Sequence, residues 1–167
     1  SKLGAALVQI SRSFARMLMA SDAIQFLTVP PSREVAEQQL QPGLRRWFAA
    51  HVGDPTVAQR FAWNTIYHRQ NFLLSSPTGT GKTLAAFLPI ISQINAEPRD
   101  GLQCLYVAPL KALCRDAYVN LKKAWRSIEQ DGFLDGDLRV SLRTGDTSQR
   151  VRRRQLGDPP AILVTTP

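Results

Sequence analysis

Only two of the 167 residues are cysteines, Cys104 and Cys114. Two thiols cannot staple a disulfide scaffold or fill a four-ligand zinc site. Both sit in apolar surroundings, Leu-Gln-Cys-Leu-Tyr and Ala-Leu-Cys-Arg, so buried free thiols in a reducing compartment are expected. No run of 18 apolar residues occurs, so no transmembrane helix is expected. Acids are scarce: 13 Asp and Glu stand against 21 Lys and Arg, giving a net charge of +8 and a pI near 10.2. That balance fits a polyanionic partner, nucleic acid or acidic lipid, or simply a solvated basic face. With 44% apolar and 20% charged residues, the chain is neither disordered nor fibrous. The length suits one domain that buries roughly 70% of its unfolded surface.

Along the chain, residues 1–28 carry Leu3, Leu7, Ile10, Phe14, Met17 and Leu18 at helical spacing. Up to Ser21 the segment holds Lys2, Arg12 and Arg16 and no acid, as transit peptides do. The alternative, an accessory helix packed on the domain, gives the apolar positions a partner surface and is the reading adopted. Pro30-Pro31 ends this unit, because proline lacks a donor and restricts its predecessor. Ser32 caps the next turn, and Pro42-Gly43 marks another break. Leu44, Trp47, Phe48 and Val52 read as a short helix, and Thr56 caps a further one. Short apolar runs then alternate with helical stretches. Strands are expected at Phe72–Leu74, Leu102–Ala108, Leu138–Leu142 and Ala161–Thr165. Helices are expected at Thr83–Ile94, Leu113–Ile128 and Ser148–Leu156. The alternation predicts an α/β fold with a parallel sheet and right-handed crossovers.

The strongest chemistry lies in Ser76-Pro77-Thr78-Gly79-Thr80-Gly81-Lys82-Thr83. It follows an expected strand and opens an expected helix, the setting a phosphate-binding loop requires. Gly79 and Gly81 can take positive φ and let the backbone approach phosphate. Successive amides form an anion nest, and the helix adds its positive end. Lys82 places an ammonium on the terminal phosphates. Thr83 offers its hydroxyl oxygen to Mg²⁺, which prefers hard oxygen ligands. Ser76 stands where the generic pattern has its first glycine. The competing reading is a flexible glycine turn with an incidental lysine.

Pro-Thr-Gly-Thr-Gly-Lys-Thr resembles motif I of superfamily 2 DEAD/DEAH-box helicases. Pro55-Thr56-Val57-Ala58-Gln59 resembles their Q motif. Ala108-Pro109-Leu110-Lys111-Ala112-Leu113 resembles motif Ia, and Thr144-Gly145-Asp146-Thr147 the motif Ib region. Thr165-Thr166-Pro167 resembles the next strand-contacting motif. Among these helicases the large helicase-related (Lhr) group is nearest, over residues 44–167. The resemblance implies a P-loop NTPase of RecA-like type: a parallel sheet flanked by helices, truncated, with an N-terminal helical extension at 1–43. Residues 44–167 would be the first RecA-like ATP-binding domain, incomplete at its C-terminus. It implies ATP and Mg²⁺ as cofactors, with Gln59 reading adenine through its amide. Thr78, Gly79, Thr80, Gly81, Lys82 and Thr83 would hold the phosphates and metal, and Lys82 and Thr83 would serve catalysis. Pro109, Leu110, Lys111, Thr144, Gly145, Thr147, Thr165 and Thr166 would hold a nucleic acid strand. The implied strand is single-stranded DNA, with RNA as the alternative, and translocation would run 3′ to 5′. The other implied partner is the remainder of the helicase chain. A cytoplasmic, nucleoid-associated protein with no membrane contact follows from the same resemblance. Trp47 and Phe48 read as core aromatics before they read as flanks for a base, and Asp146 reads as a turn or helix cap.

Arg143, Arg150, Arg152, Arg153 and Arg154 cluster beside two of these loops. Arginine forks suit phosphate geometry, so Arg152 and Arg153 join the candidate strand contacts. A solvated basic face is the competing reading. No apolar run ends in Asp-Glu, the family's second magnesium motif, so the isolated stretch is expected to be almost inert. The last expected strand, Ala161–Thr165, would then lie beside an uncovered part of the sheet. Two other functions fit less well. One is a strand-binding module without hydrolysis, against which the intact Gly81-Lys82-Thr83 argues. The other is a different phosphate-loop enzyme, against which Gln59 and Pro109–Leu113 argue.

Overall fold

Three four-residue strands, only the last of them buried throughout, pair across long connections and make the sheet on which the chain is built. The computed structural model describes residues 26–77, 79, 81–134 and 136–167. In order these form helices α1 (Arg33–Gln38), α2 (Pro42–His51), α3 (Val57–Tyr67) and α4 (Lys82–Ala96). Then come strand β1 (Cys104–Val107), α5 (Lys111–Gln130), β2 (Val140–Arg143), α6 (Gln149–Gly157) and β3 (Ile162–Thr165). The sheet is parallel with order β1-β3-β2. Every strand-to-strand connection carries a helix, as parallel pairing demands. No helix of the described residues is long and apolar enough to cross a membrane. Among the described residues no cluster of His, Cys, Asp and Glu could hold a metal ion.

Strand β3 is buried along its whole length. Ile162, Leu163 and Val164 are apolar on both faces, which is how a central parallel strand reads. The expectation that β3 borders the uncovered part of the sheet is therefore corrected. The two edge strands are β1 and β2, and both are only partly buried over most of their length. The expected strand at Phe72–Leu74 is also corrected. Those residues form no strand, and Leu73 is 94% exposed. A strand persists only where a neighbour takes its backbone groups. Neither edge of the described sheet pairs with this segment.

The helices bury the stripes their sequences carry. In α5 the buried residues are Cys114, Ala117, Leu121, Trp125 and Ile128, three or four apart and so on one face. Leu121, Trp125 and Ile128 share a cluster with Phe87, Leu88 and Ile91 of α4, Leu44, Trp47 and Phe48 of α2, and Ile162 of β3, while Cys114 and Ala117 pack with Ala108 and with Val164 of β3. Trp47 and Phe48 are core aromatics. Trp47 Nε1 donates to Ser127 Oγ at 2.9 Å, and Phe48 meets Trp63 edge-to-face at 5.0 Å, worth roughly 0.5–1.5 kcal/mol beyond burial. Helix α2 runs across the 43/44 junction, and Ala36 and Leu40 share its core cluster. Gly43 lets α2 approach the 133 loop, because an added Cβ would lie 1.7 Å from the Phe133 carbonyl oxygen. The expected helix within residues 1–25 lies outside the described residues. Both thiols are free, with Cys114 buried and Cys104 half-buried.

Candidate ATP and nucleic-acid site

Two groups of residues carry the chemistry. The first is the phosphate loop at the start of α4. Gly79 has φ +81° and Gly81 φ +78°, the left-handed region that the loop requires and that glycine tolerates. Gly81 is the residue before the first turn of α4, so the helix's unpaired amides open onto the loop. Thr83 is exposed at that end and Lys82 half-buried. The Lys82 ammonium donates to the carbonyls of Ser76 and Pro77, both at 2.6 Å. The loop thus folds its own cation inward. Thr78 and Thr80 lie outside the described residues.

Gln59 joins this loop to α3. It is 1% exposed. Its Nε2 donates to the Gly81 carbonyl at 3.4 Å, a long contact, and its Oε1 accepts from the Thr56 amide at 2.9 Å. Thr56 Oγ1 in turn accepts from the Gln59 amide at 3.3 Å, which completes a reciprocal cap at the helix start. The Thr-x-x-Gln spacing is visible in the sequence, and this capping role is one that sequence reading missed. Both ends of the amide face the chain's own backbone. A Cβ at Gly81 would stand 2.5 Å from Gln59 Nε2, so glycine is needed there for space as well as for φ.

The second group is a row of three loops. The parallel register aligns Val107 and Arg143 with Thr165, so the segments after β1, β2 and β3 emerge side by side. That is the carboxyl edge of the sheet, where open α/β folds bind their ligands. The row gathers Pro109, Leu110 and Lys111 after β1, Thr144, Gly145 and Thr147 after β2, and Thr165 and Thr166 after β3. Pro109, Leu110, Lys111 and Gly145 are exposed, Thr147 and Thr166 half-buried, and Thr144 and Thr165 buried. Long-range bonds lock the row together. The Ala108 amide donates to the Thr165 carbonyl at 3.0 Å. The buried Cys114 thiol donates to the same carbonyl at 3.2 Å. Lys111 Nζ pairs with Asp146 Oδ1 at 2.6 Å across 35 residues of sequence. That hydrogen bond and charge, with Arg115 adding, hold the Asp146 carboxyl below its ordinary value. Asp146 lies in a turn, as the sequence suggested, and is also the partner of Lys111, which the sequence did not show.

Helix α6 separates its arginines by role. Ser148 caps it, and its Gln155 Nε2 donates to the Leu142 carbonyl at 3.1 Å, tying it to β2. Arg152, on the same face three residues earlier, spends its fork on the preceding turn. Its Nε donates to Thr147 O at 2.8 Å, and its Nη2 to Thr144 O and Gly145 O, both at 3.0 Å. Arg150, Arg153 and Arg154 are exposed. The sequence grouped Arg152 with Arg153; the structure commits the Arg152 fork to the turn and leaves Arg153 exposed.

The sequence profile of the DEAD/DEAH box helicases matches residues 56–167, two thirds of the chain. The chain is 44% identical over 136 residues to ATP-dependent helicase Lhr-Core of Methanothermobacter thermautotrophicus, covering 77% of this chain and 16% of that protein. It resembles the Mycobacterium smegmatis helicase Lhr solved with ssDNA and AMP-PNP, with a TM-score of 0.71 and 38% identity over 78% of this chain and 17% of that one. The yeast DEAD-box splicing factor Prp28 has the same fold at a TM-score of 0.71 and 24% identity, over 84% of this chain and 34% of that one. The chain therefore spans between 16% and 34% of the length of these proteins.

Proposed function

This chain belongs to the DEAD/DEAH box helicase family, and from that premise we propose that it is the ATP-binding front portion of a helicase that translocates on nucleic acid. Residues 44–167 are the first RecA-like domain in this reading. The observation that carries it is the coexistence of two surfaces in one α/β unit. One is a glycine-shaped phosphate loop at a helix start. The other is a row of three braced loops at the carboxyl edge of the sheet.

The residues present fit ATP with Mg²⁺. Gly79 and Gly81 supply the positive φ, and the first turn of α4 supplies free amides. Thr83, exposed beside them, is the hydroxyl that would hold the metal, which neutralises charge on the phosphates. Lys82 must leave two neutral carbonyls to meet phosphate oxygens. Its bonds to those carbonyls are already charge-assisted on the donor side, and a phosphate adds the attraction of a full negative charge, which favours the exchange. Gln59 spends both ends of its amide on the Thr56 amide and the Gly81 carbonyl, so to read adenine it would have to release the long 3.4 Å contact to Gly81, which would couple the base to the loop's shape. For the strand, Lys111, Gly145, Thr147, Thr165 and Thr166 would grip backbone phosphate and sugar. DNA is the strand proposed, supported by the 38% identical Lhr structure, which was solved with ssDNA. The 3′-to-5′ direction and a place at the nucleoid rest on resemblance to the same group.

The test is ATP hydrolysis by the full-length protein, with and without single-stranded DNA or RNA. The reading expects stimulation by the strand, greater with DNA, and loss of hydrolysis in Lys82→Ala. Hydrolysis indifferent to any strand, or surviving Lys82→Ala, would overturn it. Stronger stimulation by RNA would overturn the choice of DNA.

A further inference from the structure

We propose that Arg152 is a positioning residue that shapes the Thr144–Thr147 turn for the strand, and is not itself a phosphate contact. The inference rests on the strand-binding reading above and deepens it. Three donor bonds from one guanidinium, to the carbonyls of Thr144, Gly145 and Thr147 at 2.8–3.0 Å, close around a single turn. The turn also closes on itself: the Thr144 amide donates to Thr147 Oγ1 at 2.9 Å, and the Thr147 amide to the Thr144 carbonyl at 3.1 Å. With its carbonyls drawn toward Arg152, the turn has its other face left for a strand. Gly145 sits there, exposed, and a Cβ on it would meet Lys111 Cε at 3.4 Å. The fork therefore sets the Gly145 backbone against the Lys111 side chain, whose Nζ is held by Asp146.

Position supports the same division of labour. Arg152 is half-buried on the face of α6 that carries the buried Gln155, which ties the helix to β2. Arg153 is exposed, and no described residue gives it a hydrogen bond or ion pair. An exposed arginine can exchange counterions for a phosphate, while one whose fork is committed to carbonyls cannot without dismantling the turn. A lysine at 152 keeps the charge but has no planar fork to span three carbonyls. Charge and shape can thus be separated by substitution.

The experiment measures binding of the full-length protein to a labelled single-stranded DNA over a range of salt. Arg152→Lys and Arg152→Ala are compared with Arg153→Ala and the unmodified protein. Positioning predicts that both Arg152 variants lose about tenfold in affinity with an unchanged slope of log affinity against log salt. Arg153→Ala should shallow that slope by about 0.7, the share of one phosphate on a single strand. Full affinity in Arg152→Lys, or a slope shallower by about 0.7 in Arg152→Ala, would overturn the proposal and make Arg152 a direct contact. If Arg152→Ala loses its thermal transition, Arg152→Lys, with its retained stem and charge, decides alone. Failure of the unmodified protein to bind any strand would instead overturn the strand-binding reading itself.

Discussion

The phosphate loop and the row of three loops proposed to meet a strand are built on opposite plans. The phosphate loop is local. Its shape comes from two glycines with positive φ, and its lysine bonds carbonyls only five and six residues away. The row is assembled from a distance. Cys114 reaches Thr165 across 51 residues, and Lys111 reaches Asp146 across 35. A local loop can change shape when a phosphate arrives without disturbing the sheet. A cross-braced row holds its geometry, so on the proposed reading a strand would meet a formed surface. The difference fits a motor in which one site cycles and the other grips.

Substitutions can break that comparison, and the largest effect belongs to the local site. Lys82→Ala should cut ATP hydrolysis by at least 10²-fold, the scale of losing one charge-stabilising group, while strand affinity stays within twofold of unmodified protein. A parallel loss of strand affinity in equilibrium titrations would show that the two sites are not separate. Gly81→Ala comes next. Its Cβ collides with Gln59 and its φ is strained, so nucleotide affinity measured by calorimetry should fall by about tenfold or more. Unchanged affinity would mean that the loop reshapes freely around Gln59.

Smaller effects sharpen the picture. Thr56→Ala removes the cap that orients Gln59 and should destabilise the fold by about 1 kcal/mol, read as a lower denaturant midpoint. An unchanged midpoint would show that α3 is held by packing alone. Asp146→Asn releases Lys111 from its ion pair. Strand affinity should rise about threefold and the salt slope steepen by about 0.7. Weaker binding would mean that the pair builds the grip and does not restrain it. The smallest effect is chemical. Burial pushes the Cys104 thiol up to about 11, and Cys114 is fully buried. Thiol reagents at neutral pH should therefore leave both unmodified in the native protein, as judged by mass, because the Cys104 thiolate is scarce and Cys114 is shielded from the reagent.

The same contrast explains what the sequence revealed. The phosphate loop was legible because glycine, lysine and threonine stand next to one another and follow local rules. The helices were legible from their apolar stripes, α5 above all, with ends displaced by a residue or two. The strand expected at Phe72–Leu74 failed because apolar residues alone do not make a strand, and the described sheet gives this segment no neighbour. The central place of β3 was illegible, since strand order depends on crossovers that no local pattern records. The different surroundings of Arg152 and Arg153 were hidden for a related reason. Helical spacing groups side chains by face, but it does not say that one face closes on a turn. Gln59 is a middle case: its Thr-x-x-Gln box was in plain view, overshadowed by the motif around it.

If one site cycles while the other grips, nucleotide and strand must be energetically linked, because each ligand shifts the other's affinity by the same factor. The most direct measurement is single-stranded DNA affinity of the full-length protein with and without a non-hydrolysable ATP analogue, repeated in Lys82→Ala. The account predicts a clear change in affinity, about fivefold or more, in the unmodified protein and none in the variant. Equal affinities with and without the analogue in the unmodified protein would contradict it.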